Sequence, residues 1–431
     1  MPDLSRRLWL TGVIYLSATV TLVVSRTPLG SPLFFACLSV ATAAYLAILP
    51  AIWRARDAPP RLLLVGFIFA VAFRIPLAVA PVGADSDMVR YLWDGRVQRF
   101  GYSPYANVPA DPAVAHVHTE ETRQMPSARA RTPYPAGAQL FFRLVATIHE
   151  SRLAMKLALV VCDALTIVVL WRWLLIAGQS PWLALVYAWS PLVILEVAHA
   201  GHIDSLGALW ITASAWFLAR RRTALAAVAF VLAVATKLLP IVLAPLYWRR
   251  VRWTDGVLAA ALLAALYAPF ADGSGVPLGA VPNVVAYIRF NGPIFQAIAS
   301  LTSPQVAAAV AVLAGLATAV WARWRLGPSD PAAWAWPMAV SLACAPVIYP
   351  WYLLYFTPFL WSRATIPLLV WTLSVQPVYL VWLRSRHGAR WMVPSWIWIP
   401  EFALVIISAI VVLALARKSR LGSTRPTEEL A

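Results

Sequence analysis

The sequence has few acidic residues and few charged residues of either sign. Only 12% of the 431 residues are charged, and 35 Lys and Arg residues outnumber 18 Asp and Glu residues. A soluble domain carries about 25% charged residues, so this composition excludes a water-soluble globular protein and a disordered chain. The hydrophobic fraction of 61% and the mean hydropathy of +0.72 instead predict an integral membrane protein.

Other features that the sequence lacks narrow the class of protein further. The three cysteines, Cys37, Cys162 and Cys344, lie inside apolar runs and form an odd set, so we expect small core residues rather than a disulfide framework. The sequence has no glycine-rich phosphate fingerprint of the type that soluble nucleotide-binding domains use. Its apolar stretches lack the alternation of a barrel strand, so the membrane-spanning elements are predicted to be helices.

Apolar runs recur along almost the whole chain. A helix needs about 20 residues to cross a hydrocarbon core, which predicts an all-α polytopic transmembrane bundle of about 11–14 spans. Residues 1–418 are predicted to form one membrane domain, and 419–431 a polar, disordered cytoplasmic tail. The predicted spans are 8–24, 32–52, 62–80, 153–175, 181–198, 203–219, 223–236, 238–248, 254–270, 303–322, 331–348, 351–361, 365–383 and 395–416.

The net charge of +17 would suggest a nucleic-acid partner in a soluble protein, but here the basic residues cluster at span ends and act as topology signals, so no nucleic acid is expected. Placing these clusters in the cytoplasm puts four distant polar features together on the extracytoplasmic face: the loops 81–137 and 271–292, the turn 196–204, and Lys237. Three arginines break the rule by also falling outside. Either the late spans are miscounted, or these three face anionic lipid or substrate. They are Arg384, Arg386 and Arg390.

The first large loop, 81–137, contains a predicted helix. Apolar residues recur at helical spacing over 87–100, and Gly101 follows where a helix C′ glycine belongs. We expect this amphipathic helix to lie on the membrane surface, with its arginines toward water or lipid phosphate. Two acids precede it, Asp85 and Asp87, and they either cap the helix or place a catalytic carboxylate at the membrane boundary.

Ionisable side chains also occur within predicted spans. Each costs at least about 2.5 kcal/mol on insertion scales, so each needs a partner or a function. Asp163 lies one heptad from Lys156 on the same helix face, which predicts an ion pair between them. Arg74 is predicted to extend outward toward Asp85 or Asp87.

Further polar groups gather where the chain enters or leaves the membrane. Lys237 precedes a proline-broken apolar segment, which is tolerated at membrane depth where it lines a polar cavity. His116 and His118 have no third ligand at a recognisable spacing, so solvated loop histidines are favoured over a metal site. The turn 196–204 holds four ionisable groups at a lipid boundary, a density that indicates function: Glu196, His199, His202 and Asp204.

Several short motifs in the right order resemble the GT-C superfamily, multi-span glycosyltransferases that use polyprenyl-phosphate sugars. More narrowly, the chain is similar to the bacterial polyprenol-phosphate-mannose mannosyltransferases and to the GPI mannosyltransferase I catalytic subunit. It departs from them in having Ser86-Asp87 where relatives often have two adjacent acids, and Tyr349 where they often have histidine or another polar residue. The motifs are RYLWDGRVQ at 90–98, GYSPY at 101–105, TPYPAGAQ at 132–139, PLVILEVAHAGHIDSL at 191–206, TKLLPIVLAPL at 236–246, FNGPIF at 290–295 and YPWYLLYFTPFL at 349–360.

The resemblance implies an inverting transfer of a hexose, most often mannose, from a polyprenyl phosphate to a glycan or glycolipid outside the cytoplasm. Such chemistry needs one carboxylate base and cations near the donor phosphate; it requires no cofactor, although a divalent metal is compatible with it. The base is expected to be Asp87, with Asp85 as second choice. The expected phosphate ligands are Arg131, Lys237, Arg289 and Arg129, and the sugar or acceptor ligands are His202, Asp204, Asn291, Tyr134 and Trp351.

Two other functions fit an intramembrane set of charges. A secondary transporter or lipid flippase would show repeats in corresponding halves and a site at the membrane midplane. A polymerase or ligase of lipid-linked glycans would share the architecture but handle whole oligosaccharides. The low lysine content, 3 Lys against 32 Arg, is typical of a GC-rich bacterial gene, so we expect a multi-pass protein of a bacterial plasma membrane.

Overall fold

The structure is a computed structural model that describes residues 2–55, 59–80, 87–271 and 277–422. These residues form helices and connecting segments, and within them β pairing is limited to one isolated bridge between Phe290 and Val347. The α-helices are α1 Pro2–Val24, α2 Pro32–Arg54, α3 Pro60–Val79, α4 Asp87–Arg99, α5 Ala136–Ile148, α6 Arg152–Ile176, α7 Ala184–Ala188, α8 Pro191–Val193, α9 Asp204–Ala219, α10 Thr223–Thr236, α11 Trp253–Tyr267, α12 Val281–Tyr287, α13 Pro293–Leu301, α14 Pro304–Arg325, α15 Pro331–Ala343, α16 Ile366–Ser374, α17 Leu380–Arg386 and α18 Ser395–Gly422.

Short 3-10 and π segments join several of these helices. The 3-10 turns are Pro112–Val117, Thr122–Gln124, Pro181–Leu183, Leu239–Tyr247, Ala268–Phe270, Pro350–Tyr355, Thr357–Phe359, Arg363–Thr365 and Gln376–Tyr379, and the π-helix is Ile194–Ala200.

The fold is a polytopic helical bundle, as predicted. Eight helices of the described chain are long and apolar enough to cross a membrane, and a ninth span results if Pro181–Ala188 and Pro191–Ala200, bent by 51°, count as one. This number is below the 11–14 expected, because apolar segments such as α9, α10 and α15 form helices of only 16, 14 and 13 residues. Helix α18 continues to Gly422, past the predicted start of the tail at 419, and 423–431 lie outside the described residues.

Helix starts follow local sequence signals. Ser31, Ser303 and Asp330 each precede a proline, and each side chain accepts a hydrogen bond from a backbone N–H in the first turn of α2, α14 or α15. The proline that follows has no N–H to leave unpaired and has a φ suited to a helix. A short polar side chain followed by proline therefore marks where these spans begin.

Helix α4 forms where it was predicted, but it is buried. One face packs against α5, where the Tyr91 ring stacks on Phe142 with centroids 4.5 Å apart. The opposite face contacts the loop that follows, where Trp93 lies in one cluster with Val114 and Val117. The predicted surface location is therefore wrong, because the chain after α4 folds back and covers the face that was assigned to lipid.

The basic side chains of α4 contact protein as well. Arg90 Nε donates to Asp94 at 2.7 Å, and Arg96 and Arg99 each donate to Glu150 at 2.8 Å. Each of the three arginines contacts a protein carboxylate, and Arg96 and Arg99 share Glu150, which differs from the expected orientation toward water or lipid phosphate.

A buried ion pair joins α3 to α6. Arg74 Nε lies 2.5 Å from Asp163 Oδ2, and Tyr187 donates to the other carboxylate oxygen at 2.7 Å. Lys156 instead donates to the carbonyls of Leu77 and Ala80 at 2.7 and 2.8 Å. Both sequence-based pairings, Asp163 with Lys156 and Arg74 with an acid near residue 85, are wrong. The neighbouring helix brings a guanidinium closer to Asp163 than any group on its own helix.

Replacing Asp163 by Asn should strongly destabilise the protein. The Arg74 charge would stay buried without its counter-ion, a change that costs about 3–5 kcal/mol in folded proteins. We expect a lower thermal midpoint in detergent, and partial recovery in the double variant Arg74→Met, Asp163→Leu. Asp3→Asn, which removes an exposed pair with Arg7, is the matched control. Equal midpoints for Asp163→Asn and wild type would contradict a stabilising role for this pair.

Candidate active site

Asp87 stands at the centre of a polar cluster at one end of the bundle. It is the first residue of α4, where a carboxylate is favoured by the helix dipole. Its Oδ2 lies 3.8 Å from His202 Nδ1, and its side chain is 31% exposed, whereas that of His202 is 1% exposed. Asp85 lies outside the described residues. The helix-cap and reactive-carboxylate interpretations are therefore compatible for Asp87.

The turn that carries His202 is shaped by a glycine. The π-helix Ile194–Ala200 ends at Gly201, whose φ of +76° is in the left-handed region, and the N–H groups of Gly201 and His202 both donate to the Glu196 carbonyl. A Cβ at Gly201 would lie 2.4 Å from the Met88 side chain. The left-handed turn therefore favours glycine at this position, whereas the Met88 methyl stands at the end of a flexible side chain that can shift.

His202 contacts a buried carboxylate and an indole ring. Its Nε2 lies 3.1 Å from Glu196 Oε2, and Tyr379 donates a hydrogen bond to the other oxygen of that carboxylate. The imidazole also stacks on Trp351, with ring centroids 4.0 Å apart and an interplanar angle of 8°. These contacts fix the ring that faces Asp87.

The second acid of the turn pairs with the predicted lysine. Lys237 Nζ lies 2.5 Å from Asp204 Oδ1, and it stands 3.5 Å from the centre of the Tyr352 ring. Lys237 is in an extended conformation at the end of α10, just before the 3-10 segment Leu239–Tyr247. The break predicted at this lysine therefore turns its side chain toward the start of α9.

Two tyrosines complete the surroundings of Asp87. Tyr91 accepts a hydrogen bond from the Ile203 N–H at 3.3 Å and packs edge-to-face with Tyr134 at 5.2 Å. Burial, and then the nearby Asp87 carboxylate, raises the pKa of Tyr134 well above its usual value. Its hydroxyl therefore stays protonated and can donate a hydrogen bond.

A network around Asp94 positions the segment that carries Tyr134, and the sequence interpretation overlooked it. The buried Asp94 carboxylate accepts hydrogen bonds at 2.7 Å from Arg90, Thr132 and Gln139. Gln98 donates to Gln139 Oε1 at 3.0 Å. The available signal was the spacing of Arg90, Asp94 and Gln98, four residues apart on one helix face.

The second loop joins the first at the same place. Ala280 N–H donates to the Thr132 carbonyl at 3.0 Å, and the Tyr105 hydroxyl donates to the Tyr134 carbonyl at 2.8 Å. The four distant polar features therefore meet at one end of the bundle, as predicted. Arg129 and Arg131 flank this junction with exposed side chains.

Arg289 and Asn291 lie beside this cluster and have partners of their own. The Arg289 guanidinium donates to three carbonyls at the end of α12. The Asn291 amide donates to both oxygens of the buried Glu401 at 3.1 and 3.0 Å, an acid that the sequence interpretation did not single out. Between them, Phe290 packs on Tyr349 at 4.4 Å. That tyrosine stacks in turn on Trp351, which links the segment to His202.

No group of three or more His, Cys, Asp or Glu side chains that could hold a metal ion occurs in the described residues. His118 is half-buried rather than solvated, because one ring nitrogen lies 2.7 Å from the Pro109 carbonyl and the other 3.1 Å from Thr122 Oγ1. The prediction of a solvated histidine is therefore wrong for His118, which packs within the first loop.

Comparison with known families identifies the class of protein. Residues 11–251, more than half of the chain, match the family model for alpha-(1->6)-mannopyranosyltransferase, N-terminal domain. The chain belongs to the alpha-(1->6)-mannopyranosyltransferase family. It is therefore a glycosyltransferase that transfers mannose, and its apolar helices make it a multi-pass membrane protein. No curated protein matches the chain.

The matched region of this mannosyltransferase contains most of the cluster. Asp87, His202, Asp204 and Lys237 all lie within residues 11–251. Trp351 and the segment with Phe290 lie beyond them and complete the site from the C-terminal part of the chain.

In this mannosyltransferase, Asp94→Ala should loosen the segment around Tyr134. The substitution leaves the buried Arg90 without its carboxylate and removes the acceptor shared by Thr132 and Gln139. We expect tryptic cleavage after Arg129 to be faster by at least about tenfold, because local opening sets the rate of proteolysis. Glu120→Gln, in an exposed part of the same loop, is the control. Unchanged cleavage in Asp94→Ala would argue against the anchoring role.

Proposed function

We propose that this mannosyltransferase moves mannose from a polyprenyl phosphate to a hydroxyl of a glycan or glycolipid, with inversion at the anomeric carbon and with Asp87 as general base. The observation that carries the proposal is the contrast between Asp87 and its neighbours. The side chains of Glu196 and Asp204 are 2% and 1% exposed, whereas that of Asp87 is 31% exposed. A general base must reach the proton that it removes, and Asp87 meets this condition.

The step is a single displacement. The acceptor oxygen forms a bond to the anomeric carbon while the bond from that carbon to the phosphate oxygen breaks. Asp87 takes the hydroxyl proton, and polyprenyl phosphate leaves with the bonding electron pair. Because a phosphate needs little protonation to leave, one base is enough, and Asp85 remains the alternative base. The His202 ring, 3.8 Å away, would hold Asp87 in position.

Four cations are proposed to face the donor phosphate. Arg129 and Arg131 are exposed and sit on the segment that Asp94 anchors. An ammonium has three donors, and Asp204 accepts one from Lys237. Arg289 supplies positive charge, although its terminal nitrogens already donate to helix carbonyls.

The sugar and the acceptor are proposed to bind between the aromatic and polar groups around Asp87. The His202 and Trp351 rings form a flat stack, and the protonated Tyr134 hydroxyl offers a hydrogen bond to an oxygen-rich ligand. Asp204 would orient a sugar hydroxyl through Lys237. Asn291 Oδ1 is buried and accepts no hydrogen bond from the described residues, so it could receive one from a sugar hydroxyl.

The proposed location is a bacterial plasma membrane, with the site on the extracytoplasmic face. The basic residues at the other end of α9 and α10 support this orientation, because three consecutive exposed arginines join these helices there: Arg220, Arg221 and Arg222. The donor and the acceptor would then both be lipid-linked or envelope-bound.

Asp87→Asn should reduce transfer of mannose from polyprenyl-phosphate mannose to the acceptor by about 10²–10⁴-fold, because an amide cannot accept the hydroxyl proton. Activity would be measured with purified protein and radiolabelled donor, and folding by the thermal midpoint in detergent. Asp111→Asn, at a loop cap that accepts from Ala113 N–H, serves as the matched control. Normal turnover by a folded Asp87→Asn protein would exclude Asp87 as the base.

The chemical class of the mannose donor leads to a second prediction. The family is named for an α linkage, and an inverting displacement that forms an α product requires a β-linked donor. We expect incorporation of one mannose from β-linked polyprenyl-phosphate mannose, and none from its α anomer or from a nucleotide-linked mannose. Product analysis by mass and linkage checks the outcome. Transfer of a whole oligosaccharide would instead indicate a polymerase or ligase.

A further inference from the structure

A basic and aromatic loop joins α17 to α18 and takes no part in the site described above. We name residues 384–396 the α17–α18 loop. It starts with a helix end in which Ala389 N–H donates to the Arg384 carbonyl and Gly388 N–H to the Ser385 carbonyl, with Gly388 at a φ of +82°. These two bonds form a Schellman motif, which gives the loop a defined conformation.

Aromatic contacts place this loop at the same end of the bundle as Asp87. Trp391 Nε1 donates to the Tyr349 hydroxyl at 3.2 Å, and Trp382 lies 6.0 Å from Trp351, ring centre to ring centre. Trp351 is the ring that stacks on His202. These contacts place the basic residues that broke the charge rule on a loop at the same end of the bundle as the candidate site.

The positive charge of the loop is not balanced by protein carboxylates. Among the described residues, no ion pair involves Arg384, Arg386 or Arg390, and the last two are exposed. Arg384 Nη1 is buried without a hydrogen-bond partner, and its guanidinium lies 5.9 Å from the Trp396 ring. The nearby Glu401 is already bound by Asn291 and by Trp371. The three guanidinium groups of this loop therefore have no carboxylate partner among the described residues.

The same loop carries large, exposed apolar side chains. Trp391, Met392 and Trp396 are 41%, 54% and 59% exposed, respectively. Tryptophan is enriched where membrane meets water, and guanidinium groups bind phosphate through paired hydrogen bonds. A ligand that matches both features carries a phosphate at the head of an apolar chain.

We propose that the α17–α18 loop binds the phosphate of the lipid-linked mannose donor, with Arg386 and Arg390 as ligands and with Trp391 and Trp396 against the lipid chain. The assignment rests on the proposed function. It adds cations to a site in which Lys237 is bonded to Asp204 and Arg289 to helix carbonyls. An anionic phospholipid headgroup has the same chemistry, so the experiment must separate the two sources.

The test measures binding of polyprenyl phosphate, without its sugar, to the full-length Asp87→Asn protein in vesicles of neutral phosphatidylcholine. Tryptophan fluorescence reports binding, so the readout does not depend on transfer. We expect Arg386→Gln/Arg390→Gln to raise Kd for polyprenyl phosphate by at least about tenfold and to leave Kd for the uncharged polyprenol unchanged. Arg386→Lys/Arg390→Lys should restore part of the affinity. Arg221→Gln/Arg222→Gln, at the opposite end of the bundle, is the matched control and should bind like the parent.

Equal Kd values for polyprenyl phosphate in the glutamine variant and the parent would overturn the assignment. The assignment would also be overturned if the glutamine variant bound polyprenyl phosphate like the parent and differed from it only in the binding of phosphatidylglycerol added to the vesicles. The ligand of the loop would then be a bilayer headgroup. Failure of wild-type protein to use polyprenyl-phosphate mannose would contradict the proposed function, while the binding measurement would still decide the role of the loop.

Discussion

The hydrocarbon interior of the bilayer dictates the arrangement of this protein, because it offers no water to polar groups. A charge inside the bundle must therefore find a protein partner. Arg74 and Asp163 meet between two helices, and Glu401 receives the Asn291 amide and the Trp371 indole. These interior charges are used for assembly, whereas the Asp87 side chain stays partly exposed at one end of the bundle.

Assembly of that end depends on two short pieces of irregular backbone. The π-helix and the left-handed Gly201 bring His202 against α4, and the Asp94 network holds the segment with Thr132 and Tyr134 on the same helix. Burial of α4 is what makes both contacts possible, since a helix lying on the membrane surface could not be held from two sides. Asp87 is thus partly exposed at the start of a helix that is held in place, which suits its proposed role as a general base.

The C-terminal part of the chain completes a site that begins in the N-terminal family domain. Trp351 closes over His202, and Tyr349 connects that stack to Phe290 and to the α17–α18 loop. The proposed base, Asp87, lies within residues 11–251, whereas the exposed tryptophans and arginines proposed to bind the donor belong to the later α17–α18 loop. This division is consistent with a donor whose sugar and lipid chain need different surroundings.

Composition and apolar run length were sufficient to predict a helical membrane protein, and charge at span ends was sufficient to predict that the loops, the turn and Lys237 would meet. These features depend on sums over many residues, which tertiary contacts hardly change. The partners of individual charges were decided only by the tertiary structure. Asp163 pairs with Arg74 and not with Lys156, Lys237 pairs with Asp204, and the loop after α4 covers that helix. Such contacts depend on distances of a few ångströms between segments that are far apart in the sequence.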